Sequence, residues 1–179
     1  MSLPAQAAYY WLAAHATKIW NMRENRNEPL KGSEEQVWRN VARFLSVASR
    51  LLDEDLQRRA NISLTEYAVL AHLSEAQTGH LRVSELADLA DLSESRMTRL
   101  VEDLTRRGFV TKTRNQEDAR GIDVEITEVG LNRVRDAYPI HLASVRQRIM
   151  NQVDPKALSS FGDVMAAIVR AIGEPSKSR

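Results

Sequence analysis

Apolar positions recur with a helical period over most of the chain and switch to strict alternation in one stretch. Val37, Val41, Phe44, Leu45, Ala48, Leu51, Leu52 and Leu56 trace one face of a long helix from Ser33 to about Arg59. Ser33 and Gln36 have the spacing of a capping box at its start. Ser63 and Glu66 make a second box, with Ile62 placed to staple onto Tyr67; Tyr67, Leu70, Ala71 and Leu73 form the inner face of that shorter helix. A loop from Glu75 to His80, containing Gly79, leads through Leu81 and Arg82 into two more helices. The first is capped by Ser84 and buries Leu86, Ala87, Leu89 and Ala90. The second is capped by Ser93 and buries Met97, Leu100, Val101 and Leu104 at i, i+3, i+4 and i+7. Arg106 and Arg107 in its last turn, followed by Gly108, form a stop signal.

After Gly108 the period changes to two. Phe109 to Thr113 and Ile122 to Ile126 are predicted strands, the second with Ile122, Val124 and Ile126 inward and Asp123 and Glu125 outward. A charged tip, residues 114–121, joins them. Thr127 then caps a long helix with Leu131, Val134, Leu142, Val145 and Ile149 on its core face. Pro139 should kink or break it. Asp154-Pro155 restarts a last helix carrying Leu158, Phe161, Met165, Ile168 and Ile172, stopped by Gly173 and Pro175. At the other end, residues 4–22 are a helix candidate, amphipathic though not cleanly so, and Asn21 to Ser33 reads as a polar linker.

Two helices followed by a hairpin make a winged helix-turn-helix, so the fold class is mainly α with a small β wing. The second helix of such a unit enters the DNA major groove by its N-terminal end. Ser95, Arg96, Thr98 and Arg99 lie at that end, off the core stripe, beside Ser93. Arginine reads guanine edges, and hydroxyls bond to bases or phosphates. Lys112 and Arg114 add cations from the wing.

The same stretch resembles the MarR (multiple antibiotic resistance regulator) family of bacterial transcription factors. That family's recognition helix, Leu-Ser-x-Ser-x-x-Thr-Arg-Leu-Val-x-x-Leu-x-x-x-Gly, stands here as Leu92, Ser93, Ser95, Thr98, Arg99, Leu100, Val101, Leu104 and Gly108. Its wing signature, Asp-x-Arg and then Leu-Thr-x-x-Gly, stands as Asp118, Arg120, Ile126, Thr127 and Gly130, with Ile126 for leucine the one departure. The resemblance covers residues 34–172. It implies a homodimer in which the first long helix and the last two helices pack on the partner's. It also implies a palindromic double-stranded DNA operator, with Arg120, braced by Asp118, in the flanking minor groove. The bland alternative for that pair is a wing salt bridge with no DNA role. The resulting layout is 1–33, N-terminal helix and linker; 34–60, dimerisation helix; 61–130, DNA-binding lobe; 131–173, C-terminal dimerisation helices; and 174–179, tail. Apolar surplus on the last helix supports dimerisation independently, since its bulky residues cover more than one stripe.

Composition narrows the reading further. Of 179 residues, 43% are hydrophobic and 27% charged, which suits a soluble globular protein. A net charge of +1 does not announce a nucleic-acid binder. Arg96, Arg99, Arg106, Arg107, Lys112, Arg114 and Arg120 nevertheless fall within one segment, although interspersed acids also fit a solvated charged face. No apolar run reaches about 18 residues and no secretory pattern opens the chain, so no membrane role is expected. The cytoplasm is the expected address, with nucleoid association when DNA-bound. Zero cysteines exclude thiol redox sensing and cysteine-ligated metal. The four histidines show no metal-binding pair, and no cofactor is expected.

The family implies a small, often aromatic or lipophilic effector. Trp38, Phe44, Tyr67 and His72 are candidate contacts, each of which also serves as ordinary core. The extra N-terminal helix is similar to that of the family's urate-responsive branch. Ala68 and Leu100 stand where that branch carries a carboxylate and an arginine, which disfavours urate. The reading is therefore a ligand-released repressor. The alternatives are a ligand-independent DNA-binding protein and a winged helix that docks on another protein. No phosphate loop, nucleophile elbow or acid/base constellation supports an enzyme.

Overall fold

Ser63 organises the middle of the chain. Its hydroxyl accepts the Glu66 N–H at 3.1 Å while the Glu66 carboxylate accepts the Ser63 N–H at 2.7 Å, the reciprocal box expected from sequence. The computed structural model describes residues 29–114 and 121–173. Its elements are α1 (Ser33–Ala60), α2 (Leu64–Glu75), β1 (His80–Arg82), α3 (Val83–Leu89), α4 (Glu94–Arg106), β2 (Val110–Arg114), β3 (Ile122–Ile126), α5 (Glu128–Arg148), a 3-10 turn (Met150–Gln152) and α6 (Leu158–Gly173). The chain divides into two compact units, Met1–Arg43 and Phe44–Arg179. Of the first, residues 29–43 are described: the opening turns of α1, where Val37 and Trp38 are exposed and Ala42 is buried. The N-terminal helix expected at residues 4–22 lies outside the described residues.

The second unit holds the core. Leu56 and Ala60 from the end of α1 join Ile62, then Tyr67, Val69, Leu70 and Leu73 of α2. Leu86 and Ala87 of α3, Met97, Val101 and Leu104 of α4, and Phe109, Val110, Val124 and Ala137 complete it. The buried positions of α4 are those its spacing predicts, with Leu100 packed at the edge. The strands form a three-stranded antiparallel sheet in the order β1-β3-β2, with Leu81 opposite Val124 and Lys112 opposite Val124 on the other side.

Several local expectations are corrected. β1 occupies a stretch expected to be loop, because three residues are too short for alternation to register. α3 is capped from Arg82, whose N–H is taken by Glu85 Oε2 at 2.7 Å, and Ser84 lies inside the helix. Ser33 is likewise the first residue of α1 rather than its cap. Ile122, expected inward, is exposed. It pairs with Arg114 at the outer end of the hairpin, past the helices that cover Val124 and Val110. α5 runs unbroken through Pro139, which lies on its exposed side, where water can serve the carbonyl that proline leaves unpaired. Asp154 caps a turn, accepting the Lys156 N–H at 2.9 Å, and α6 starts only at Leu158.

Gly130 explains one half of the wing signature. Thr127 caps α5 by accepting the Gly130 N–H at 3.1 Å, and its hydroxyl also donates to the Gly108 carbonyl at 2.7 Å. This folds the start of α5 onto Phe109, so a Cβ on Gly130 would sit 2.2 Å from the Phe109 carbonyl oxygen. That oxygen is backbone and also accepts the Thr127 N–H at 3.0 Å, so it cannot yield cheaply. Gly130→Ala is expected to destabilise the lobe by about 1–3 kcal/mol, the range for overpacking. Urea unfolding checks it; an unchanged midpoint would show that the junction opens without cost.

Candidate nucleic-acid interface

The turn between α3 and α4 is tight. Asp91 adopts φ 52°, and the chain closes through Leu92 N–H donating to the Ala87 carbonyl at 2.9 Å. Aspartate tolerates this left-handed conformation better than most side chains. Ser93 then stands at the N-cap position with extended backbone, but its side chain does not cap the helix. Its hydroxyl lies 3.3 Å from that of Ser95, so both hydroxyls stay exposed at the leading end of α4. Arg96 and Arg99 are exposed on the same helix, while Met97, Val101 and Leu104 are buried beneath. Thr98 is half-buried, and its hydroxyl donates to the Glu94 carbonyl at 2.8 Å, so its proton is engaged within the helix.

At the far end of α4 the chain stops on Gly108 at φ 73°. Arg107, counted from sequence among the basic surface residues, is turned into the lobe. Its Nη1 lies 2.5 Å from Glu66 Oε1, and its Cζ is 4.7 Å from the centroid of the Phe109 ring. Arg106 pairs with Asp103 on its own helix at 2.6 Å. The wing carries Lys112 and Arg114 on exposed β2 positions, paired in register with Val124 and Ile122. Asp118 and Arg120 lie outside the described residues.

The four residues put forward for an effector separate into different settings. Trp38 lies in the first unit and is 50% exposed. In the second unit Phe44 is 44% exposed, His72 is half-buried, and Tyr67 is a core residue at 8% exposure. Tyr67 packs against His141 with ring centroids 4.8 Å apart and planes tilted by 38°, a partner that its spacing in sequence does not single out. Among the described residues His141 Nδ1 is buried with no hydrogen-bond partner, and burial holds the ring's pKa below the ordinary histidine value. Burial likewise raises the Tyr67 hydroxyl, helped by Tyr138 and Glu75.

A model of the MarR family matches residues 60–121, the lobe from the end of α1 to the wing. The fold matches Sco3205 from Streptomyces coelicolor, a MarR family transcriptional regulator solved in complex with DNA. That match has a TM-score of 0.77 and 29% identity, over 84% of this chain and 97% of that one. Residues 60–121 are a MarR-family lobe. AbsC, another MarR family regulator from Streptomyces coelicolor, matches with a TM-score of 0.75 and 26% identity, over 82% of this chain and 98% of that one. The transcriptional repressor YetL of Bacillus subtilis is 29% identical over 93 residues, 52% of this chain and 56% of YetL's own length. The named proteins that this chain resembles are transcriptional regulators, and one of them was solved on DNA. Among the described residues no helix is long and apolar enough to cross a membrane.

Proposed function

We propose that this chain is a MarR-family regulator, a cytoplasmic, homodimeric repressor that binds a palindromic operator and is released by a small aromatic or lipophilic ligand. The observation that carries the DNA part is the division of α4. One face is fully buried through Met97, Val101 and Leu104, and the other presents Ser93, Ser95, Arg96 and Arg99 to solvent. Lys112 and Arg114 lie on the wing beside it, and we assign Asp118 and Arg120 to the wing tip's minor-groove contact. Repression is supported by the likeness to YetL. Two copies would set their recognition helices about one DNA turn apart, ~34 Å, on a two-fold site. α1 and α6 leave apolar residues uncovered in one chain, as a dimerising surface should. In the second unit we keep Phe44, Tyr67 and His72 as ligand contacts and add His141, whose Nδ1 has no hydrogen-bond partner among the described residues and suits a ligand with a hydrogen-bonding group; Trp38, in the first unit, is kept as a separate candidate.

Arg99→Ala tests the assignment of α4. It should cut discrimination between operator and random duplex by about 1–3 kcal/mol per lost base contact. Arg120→Ala should weaken operator binding while the oligomeric state stays as in wild type. Anisotropy titrations against both duplexes read each effect; wild-type affinity in both variants would mean that helix and wing are not used in this way.

A further inference from the structure

Two guanidinium groups from different elements converge on the C-terminal end of α1. Arg107 closes the recognition helix and reaches back across the lobe. Its Nη1 pairs with Glu66, and its Nη2 donates to the Asn61 carbonyl at 3.3 Å. Arg133, on α5, donates from Nη1 to the neighbouring Ala60 carbonyl at 2.8 Å. Both cations lie within cation–π range of the same buried ring, Phe109, at 4.7 and 5.3 Å from its centroid. Carbonyls at a helix C-terminus carry the negative end of the helix dipole, so they suit cations. Asn61, at φ 50°, ends α1 abruptly, with its own N–H donating to the Gln57 carbonyl.

Glu66 is equally constrained. One carboxylate oxygen caps α2 by accepting the Ser63 N–H and the other holds Arg107, so the acid cannot swing away from the arginine without uncapping α2. Three elements are thus tied at one point: the end of the long helix α1, the end of the recognition helix and the first turns of α5.

We propose that Arg107 and Arg133 are positioning residues for DNA binding, clamping the recognition helix to the end of α1 and so fixing the separation of the two recognition helices in the dimer. This rests on the dimeric operator-binding reading above. The lever arm is long enough to matter. Arg99 lies ~12 Å up the helix from Arg107, so a tilt of about 10° about the clamp moves it by about 2 Å. A displacement of that size takes a side chain out of hydrogen-bond range of a base edge.

The test uses the duplex that the wild-type protein selects from a random-sequence library, and two derivatives with one base pair inserted or removed at its centre. Wild type should bind the parent duplex preferentially. In Arg107→Met and Arg133→Met the ratio between parent and altered spacings should fall by about tenfold. Arg107→Lys, which keeps the Glu66 pair without the planar fork, should fall in between. Glu66→Gln provides the same reading if either methionine variant fails to fold. An unchanged spacing ratio, even with weaker overall binding or a lower melting temperature, would overturn the proposal by showing that the cluster only packs. Selection of no duplex by wild type would instead remove the operator-binding reading on which it rests.

Discussion

Glutamate at both Phe161 and Ile168 is expected to leave a folded monomer with specific DNA affinity reduced on the order of 10²–10⁴-fold. The two side chains lie seven residues apart on one face of α6, with Met165 between them, and all three are exposed in a single chain. Val164 and Val169 are exposed as well, and Ile172 is 77% exposed. A helix that is apolar on more than one side and uncovered along its length has no stable place in water, so a second chain is the natural cover. Operator binding by two linked half-site contacts gains from effective concentration, and a monomer forfeits that gain without changing any base contact. Sedimentation of the double variant, paired with an operator titration, reads both effects. A variant that still sediments as a dimer would remove α6 from the interface.

The second large effect concerns stability. Asp55 of α1 is only 7% exposed, and its carboxylate gathers partners from α5: the Ser144 hydroxyl at 2.6 Å and Arg148 Nε at 2.9 Å and Nη2 at 2.8 Å. Arg58, a turn further on, pairs with the other oxygen. Asp55→Ala leaves Ser144 buried without its acceptor and Arg148 without its counter-charge. The expected loss is about 2–4 kcal/mol, below the full range for buried pairs because Arg148 is partly solvated. The Ser144 hydrogen bond, then that from Arg148, holds the Asp55 carboxyl below its ordinary value of 3.8 against the opposing effect of burial. A lowered folded-state pKa means a contribution that is complete above the unfolded value and lost as pH falls through the folded one. The gap between wild type and Asp55→Asn should therefore be constant near neutrality and shrink as pH drops below about 3.8. A gap independent of pH would mean that the carboxylate's charge plays no part.

Much of this molecule is legible from residue spacing because the lobe obeys local rules. The Ser63 and Glu66 box, the buried stripe of α4, the stop at Gly108 and the Thr127 cap all follow from neighbours within one or two turns. What sequence could not supply is long-range. Arg107 looks like one more surface cation until Glu66, 41 residues earlier, is placed against it. Asp55 reads as a polar position on an amphipathic helix, and only the approach of Ser144, 89 residues later, makes it a buried acid. β1 depends wholly on β3 for its pairing, and His141 gains meaning only from Tyr67. Ile122 shows the limit of periodicity: alternation says which face a residue takes, not whether the core extends that far.

α4 and the wing together should read a specific duplex. The most direct measurement is a titration of the purified full chain against the DNA immediately upstream of its own gene and against random duplex, at several salt concentrations. Saturable binding of one dimer per site is expected, tighter to the upstream DNA than to random sequence and weakening as salt rises. Absence of binding to any duplex at low salt would contradict that reading.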